Sequence, residues 1–183
     1  MSNYVDELFE MVTKLHSIKF EIWIPVKGYD NYFVSSWGKI KNCKGNKILK
    51  TAINSGGYLV VGLSKNGVQK MHTIHKLVAN NFLFNHLKKP CVDHKDNNRK
   101  NNHINNLRFA TFSENQQNKS KQSNNTSGTT GVSWHKQHQK WCTHIHIDGK
   151  RKHLGLFTSK TKAIACRKAA EAKYFGEFAH KNN

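Results

Sequence analysis

The spacing of hydrophobic positions changes several times along the chain, and each change predicts a different element. Apolar residues recur three and four positions apart between Val5 and Leu15, which predicts an amphipathic helix within residues 1–19. Residues 20–70 instead carry short apolar runs separated by turns that contain glycine and asparagine. This second pattern is typical of a small module rich in β-strands.

The middle of the chain predicts a helix, two strands and another helix. Residues 72–84 place apolar side chains on one helical face. In the asparagine-rich segment that follows, we expect one strand before Asp93 and another over residues 107–110. Thr111 and Glu114 have the spacing of a capping box, so the second helix should begin at Thr111.

The last third of the chain predicts a small unit of its own. Residues 129–183 contain three strand-like runs, a hairpin signal at Asp148-Gly149 and a periodic helix that ends at Gly176. The polar stretch before them offers almost nothing to bury and is interpreted as a linker. We therefore expect an α+β protein in five segments, with bounds 1–19, 20–70, 71–119, 120–128 and 129–183.

Composition adds a partner and restricts the environment. Lysine and arginine number 30 against 11 acidic residues, a formal charge of +19 that indicates a polyanionic partner. Hydrophobic residues make up only 37%, which favours small modules over one large core. The sequence lacks an apolar stretch near the roughly 20 residues that span a bilayer, and it begins with acidic rather than basic residues. We expect an intracellular, soluble protein without a membrane partner, in the host cell interior if a virus or mobile element encodes it.

The four cysteines are scattered and form no Cys-x-x-Cys pair. This spacing indicates neither a structural zinc site nor a disulfide framework.

Several spaced features agree within residues 92–115. They are Asp93-His94, an asparagine-rich loop, Asn106-Leu107 opening a strand, and Thr111-x-x-Glu114-Asn115 opening a helix. Together they resemble the HNH endonuclease motif, particularly that of the homing endonucleases of phages and mobile introns. The resemblance implies a central ββα-metal (His-Me finger) nuclease core.

The residue types suit metal-dependent phosphodiester hydrolysis, which needs an activated water and a cation on the phosphate. His94 can accept the proton of the water, because imidazole titrates near neutrality. Asp93 and Asn115 offer oxygen atoms to Mg²⁺ or Mn²⁺. By the resemblance, Asn106 braces the long loop and helps to orient His94. Among the other histidines, His75 has the best claim to approach this site.

The segment before the core has its own resemblance. Residues 23–40 combine Trp, Gly-Tyr, Tyr-x-Val-Ser and Gly-x-Ile, and they resemble a modular motif often fused to HNH homing nucleases. We expect Trp23 and Tyr32 to lie inside this module. Lys39 and Lys41 should face DNA.

The C-terminal unit resembles the Apetala/ethylene-response-factor type of DNA-binding domain. The resemblance rests on Gly131-Val132, Lys140-Trp141, His153-Leu154-Gly155 and the alanine-rich helix. It implies that the outer face of a three-stranded sheet enters the major groove. Several arginines of that family are replaced here, so its base preferences do not transfer. The candidate DNA contacts are Trp134, Lys136, Lys140, Trp141, Arg151 and His153.

These features together predict a site-specific DNA endonuclease of the homing type. It would act on double-stranded DNA as a monomer or weak dimer and nick one strand per active site. One alternative is a DNA-binding regulator with a vestigial nuclease core. Another is a non-specific defence or repair nuclease, which two extra binding modules disfavour.

Overall fold

The computed structural model describes residues 20–118 and 125–179. The helix predicted within residues 1–19 lies outside the described part, as does most of the linker predicted over 120–128.

The chain divides into two compact units, residues 1–109 and 110–183. This division passes through the predicted nuclease segment, and the five-segment arrangement stays a prediction. Among the described residues, no helix is long and apolar enough to cross a membrane.

Strands dominate the first unit. An antiparallel sheet has the order β1-β2-β3-β4, and a second has the order β5-β6-β7. After β7 follow a helix, an eighth strand, a single 3-10 turn at Ile104–Asn106, and a ninth strand paired with the eighth. The bounds are β1 (Trp23–Val26), β2 (Tyr29–Ser35), β3 (Ile40–Asn42), β4 (Lys47–Ile48), β5 (Ala52–Ile53), β6 (Leu59–Lys65), β7 (Val68–Thr73), α1 (Ile74–Phe82), β8 (Cys91–His94) and β9 (Leu107–Ala110).

One hydrophobic cluster joins the predicted N-terminal module to the nuclease segment. Val34 of β2, Ile40 of β3 and Leu63 of β6 are fully buried in it. Ile74 of α1 and Leu107 of β9 are buried in the same cluster. The two segments therefore share one core. In this shared core, the N-terminal module supplies the sheets and the nuclease segment supplies α1, which packs against them.

The second unit begins with a short helix and continues into a sheet with the order β10-β11-β12. A long helix then covers this sheet, with Ile145, Ala170 and Phe175 in the shared core. The three strands and the long helix lie where the pattern predicts them. The bounds are α2 (Phe112–Gln117), β10 (Val132–His135), β11 (Lys140–Ile147), β12 (Lys150–Phe157), α3 (Lys160–Phe175) and a 3-10 turn at Gly176–Phe178.

A buried ion pair fastens α3 to its sheet. Arg167 Nε donates to Glu171 Oε1 over 2.8 Å, and both side chains are about 95% buried. Arg167 Nη1 also donates to the carbonyl oxygen of His144 on β11. The pair therefore ties one turn of the helix to the middle strand.

Candidate active site

Asp93 and His94 are the last two residues of β8, and each is only 5% exposed. The Asp93 Oδ2 atom accepts hydrogen bonds from Arg108 Nε over 2.9 Å and from Arg108 Nη2 over 2.8 Å. Arg108 lies on β9, so the bidentate contact spans the two paired strands. It fixes the orientation of the buried carboxylate and balances its charge.

A hydrogen bond from His94 to Asn102 determines which nitrogen of His94 carries the proton. The Asn102 Nδ2 atom donates to the carbonyl oxygen of Lys100 over 3.3 Å, which turns Oδ1 toward His94. That oxygen lies 3.1 Å from His94 Nε2. In the neutral imidazole, Nε2 is therefore the donor and Nδ1 carries the lone pair.

Burial lowers the pKa of His94 below its ordinary value. The hydrogen bond that His94 donates to Asn102 and the charges of Asp96 and Asp93 raise the pKa of His94, but burial outweighs them. A neutral imidazole at physiological pH is the form that can accept a proton from water.

Asn106 lies at the other end of the loop and cross-links it. Its Nδ2 atom donates to Asp96 Oδ1 and to the carbonyl oxygen of Asn101, each over 2.8 Å. Its Oδ1 atom accepts from the backbone N–H of Asp96 over 3.1 Å. The amide that contacts His94 is that of Asn102, which the sequence did not single out because it is one of many asparagines in the segment.

Two further rings pack beside the imidazole of His94. The ring of His75, at the start of α1, has its centroid 5.2 Å from that of His94. The Tyr58 ring lies 4.7 Å from His75 and 6.1 Å from His94. Burial lowers the pKa of His75 to about 4, with smaller contributions from His94 and Lys76. His75 is therefore neutral, and its Nδ1 atom is buried with no hydrogen-bond partner among the described residues.

Asn115 belongs to the second unit, where a capping box holds the start of α2. Thr111 Oγ1 accepts from the backbone N–H of Glu114 over 3.2 Å, and Glu114 Oε2 accepts from that of Thr111 over 2.6 Å. The backbone N–H of Asn115 donates to the Thr111 carbonyl oxygen over 3.0 Å. The capping box thus makes Thr111 the N-cap, and the helix begins at Phe112, one residue after the predicted start.

The oxygen donors suit a hard divalent ion. Asp93 of the first unit has a carboxylate oxygen and Asn115 of the second unit has an amide oxygen, and each is a donor type that Mg²⁺ accepts. Within residues 20–118 and 125–179, no group of three or more His, Cys, Asp or Glu side chains is arranged to hold a metal ion.

The candidate DNA contacts of the first unit lie on its surface. Lys39 Nζ is 3.0 Å from Glu21 Oε2, an exposed ion pair. Lys41 lies over the ring of Trp23, with Nζ 4.7 Å from the ring centroid. Trp23 is half-buried, whereas Tyr32 is buried. Both lysines thus have a partner within the protein.

The register of the C-terminal sheet separates the two tryptophans from the other candidate contacts. Thr143 faces α3, because its hydroxyl donates to the carbonyl oxygen of Ala163 over 3.4 Å. Trp141 lies two residues away on the same strand and pairs with Trp134, so all three share that face. Lys160, the first residue of α3, lies over the Trp141 ring at 5.3 Å. Trp134 and Trp141 therefore lie on the helix side of the sheet and not on the expected outer face.

The opposite face of this sheet carries basic and imidazole side chains. Lys140 alternates with Trp141, and His153 pairs with His144 across the strands. Arg151 Nη2 lies 3.2 Å from His144 Nδ1. Lys140, Arg151 and His153 are exposed, as is Lys136 in the turn between β10 and β11. This outer face is thus accessible and basic.

The buried Asp-His pair, the asparagine-braced loop, the second strand and the capped helix are the parts of an HNH endonuclease core, in chain order. The HNH endonuclease family profile matches residues 88–117. The NUMOD4 motif profile matches residues 21–64.

Relatives of viral and bacterial origin match about half of the chain. DNA endonuclease I-HmuI of Bacillus phage SP01 is 39% identical over 88 residues, which are 48% of this chain and 51% of that protein. Uncharacterized HNH endonuclease L245 of Acanthamoeba polyphaga mimivirus is 39% identical over 86 residues, or 47% of this chain and 26% of that protein. H-N-H endonuclease F-TflII of Escherichia phage T5 is 32% identical over 89 residues, which are 46% of this chain and 45% of that protein. The chain thus spans between about a quarter and about half of the length of these three relatives.

A solved structure extends the similarity over most of the chain. It shows DNA binding and cleavage by the HNH homing endonuclease I-HmuI, and it is 30% identical, with a TM-score of 0.52, over 88% of this chain and 94% of that one. The chain belongs to the HNH endonuclease family. The resemblance to phage-type homing endonucleases is confirmed, whereas that of residues 129–183 to the Apetala type stays a prediction.

Proposed function

We propose that the chain is a site-specific DNA endonuclease of the homing type, which hydrolyses phosphodiester bonds and nicks one strand per active site. One observation carries the proposal. A buried Asp93-His94 pair with a neutral, oriented imidazole lies in a chain that matches 94% of the I-HmuI chain. I-HmuI binds and cleaves DNA, and the proposal extends this activity to the present chain.

His94 is the proposed general base. Its Nδ1 atom accepts a proton from the attacking water while Nε2–H stays bonded to Asn102. The imidazolium that forms is stabilised by the negative charges of Asp96 and Asp93, which already act to raise the pKa of His94. Asn106 supports His94 indirectly, because it holds the loop on which Asn102 lies.

Asp93 and Asn115 are the proposed protein ligands of a divalent ion, Mg²⁺ or Mn²⁺. When bound, such an ion polarises the scissile phosphate and stabilises the leaving oxygen. The contact from Arg108 keeps the Asp93 carboxylate oriented.

Double-stranded DNA is the proposed substrate, and residues outside the core are proposed to recognise it. The formal charge of +19 favours a polyanion. If residues 129–183 bind DNA as the Apetala type does, the outer face with Lys140, Arg151 and His153 contacts the duplex. Lys39 and Lys41 contribute from the first unit. Trp134 and Trp141 lie on the other side of the sheet, where Trp134 is 48% exposed and Trp141 is half-buried.

The test is cleavage of a plasmid library in Mg²⁺. The wild type should nick a restricted set of sites, and a chelator should abolish the nicking. His94→Ala should lower the rate by roughly 100-fold or more, the usual contribution of a general base. His86→Ala is the matched control, because His86 is an exposed histidine outside the site.

Each other outcome has a distinct meaning. Absence of metal-dependent cleavage by the wild type would favour a DNA-binding regulator. Uniform cutting of all sequences would favour a non-specific nuclease. Equal rates for His94→Ala and the wild type would overturn the proposed mechanism.

A further inference from the structure

Arg99 is an exposed side chain whose position is nevertheless fixed. It lies in the loop between β8 and β9, and its Nη1 atom donates to the carbonyl oxygen of Gly56 over 2.6 Å. Its guanidinium carbon lies 5.0 Å from the centroid of the Tyr58 ring. Both partners come from the turn between β5 and β6, so two contacts hold the guanidinium in one orientation.

Tyr58 also lies near the imidazole of His94. The Tyr58 ring, on which Arg99 lies, is 6.1 Å from the ring of His94. The charge of Arg99 is near enough to lower the pKa of His94. Arg99 therefore lies at the edge of the proposed cleavage site, within the first unit.

Most of the hydrogen-bonding capacity of Arg99 is not used within the described chain. Arginine has five N–H donors in a planar fork, and one nitrogen is bonded to Gly56. Among residues 20–118 and 125–179, no carboxylate pairs with this guanidinium. This guanidinium is preorganised next to the proposed cleavage site and has unused N–H donors. Such a group can donate hydrogen bonds to the oxygen atoms of a phosphodiester.

We propose that Arg99 binds a phosphate of the cleaved strand, at the scissile position or next to it, and that Tyr58 is the positioning residue for this contact. The inference rests on the proposed function. It adds a contact to the reacting strand that is separate from His94 and from the metal ligands.

The first experiment measures metal-free binding to duplex DNA between about 50 and 200 mM salt, where one lost phosphate contact reduces the slope of log K against log salt by about 0.9. Arg99→Ala should reduce the slope by that amount. Lys100→Ala is the matched control, because it removes the same charge from the next residue of the same loop, where the lysine is exposed. It should change the slope by less than half as much, and equal effects of the two substitutions would overturn the proposal.

The second experiment measures single-turnover nicking at a mapped site. Arg99→Ala should slow nicking by roughly 10- to 100-fold, the effect of losing one hydrogen bond to a charged group. Arg99→Lys should recover part of the rate, since it restores the charge without the fork. Tyr58→Leu alone should slow nicking relative to the wild type. Combined with Arg99→Ala, it should reduce the nicking rate little further.

Single methylphosphonate substitutions separate a direct contact from a structural role. When the phosphate that Arg99 binds is made neutral, the wild type and Arg99→Ala should nick at the same rate. If Arg99→Ala slows every substituted substrate by the same factor, Arg99 is only structural and the proposal is wrong. If the wild type nicks no DNA, the proposed function fails, while the binding slopes still decide whether Arg99 contacts phosphate.

Discussion

Replacing Gly38 with alanine should disturb both the fold and the candidate site, because this glycine packs against Asn102, which is hydrogen-bonded to His94. Gly38 lies in the turn between β2 and β3 with φ +82°. A Cβ atom there would lie 2.7 Å from Asn102 Cβ and 3.3 Å from the Asn102 carbonyl oxygen. Asn102 is 3% exposed and bonded to His94, so it has little room to move.

Two contributions set the size of the effect. An L-residue in the left-handed region costs about 1–2 kcal/mol. Forcing a methyl group into a packed interior costs a further ~1–3 kcal/mol. Gly28→Ala provides the matched control, because Gly28 has φ +84° and nothing within 4 Å of the added Cβ. The difference between the two variants therefore isolates the contact with Asn102.

The assay is urea unfolding of both variants at neutral pH, together with single-turnover nicking. Gly38→Ala should lose about 1–3 kcal/mol more stability than Gly28→Ala. It should also nick more slowly at temperatures where both variants are folded, because a displaced Asn102 no longer fixes His94. Equal losses of stability and equal nicking rates would refute this reasoning.

Buried ionisable groups of the first unit lead to three further predictions. The pKa of His75 is lowered from 6.5 to about 4, so stability present at neutral pH should be lost as the pH falls below 6.5, by about 2 kcal/mol between pH 7 and pH 5. His75→Gln should flatten the pH dependence of urea unfolding, and an unchanged slope would contradict the prediction. The pKa of His94 is lowered from 6.5, so the acid limb of the nicking rate should have its midpoint below that pH, and a midpoint above it would be inconsistent with a buried base. Arg108→Ala should cost about 3–5 kcal/mol of unfolding free energy because it leaves the buried Asp93 carboxylate uncompensated; a loss near ~1 kcal/mol, as for exposed pairs, would show that the contact is solvated.

Local signals in the sequence were sufficient for several features of the fold. The predicted capping box is present, with Thr111 as the N-cap of α2. Asp93-His94 closes a strand as expected. These features depend on contacts between residues a few positions apart, so their spacing in the sequence already contains the information.

The sharing of one core by two sequence segments was not predictable in this way. Val34 and Leu107 are buried together although more than seventy positions separate them. The hydrophobic pattern shows that each residue is buried but does not show which residue packs against it.

The faces of the C-terminal sheet show the same limit. Alternation separates Trp141 from Lys140, but only the packing of α3 against Thr143 decides which set lies inside. The resemblance to the Apetala type placed the tryptophans among the contacts of the outer face, and alternation alone could not test this because the period of a strand is the same for both faces.

The surroundings of His94 depend most on tertiary structure. The sequence by itself determined that His94 follows Asp93 at the end of a strand and that asparagines fill the loop beyond. Only the fold decided that Asn102 bonds His94 and that the Tyr58 ring lies near both His94 and Arg99. Side chains from different loops come into contact only when the chain folds, and the local spacing of residues in the sequence does not specify those contacts.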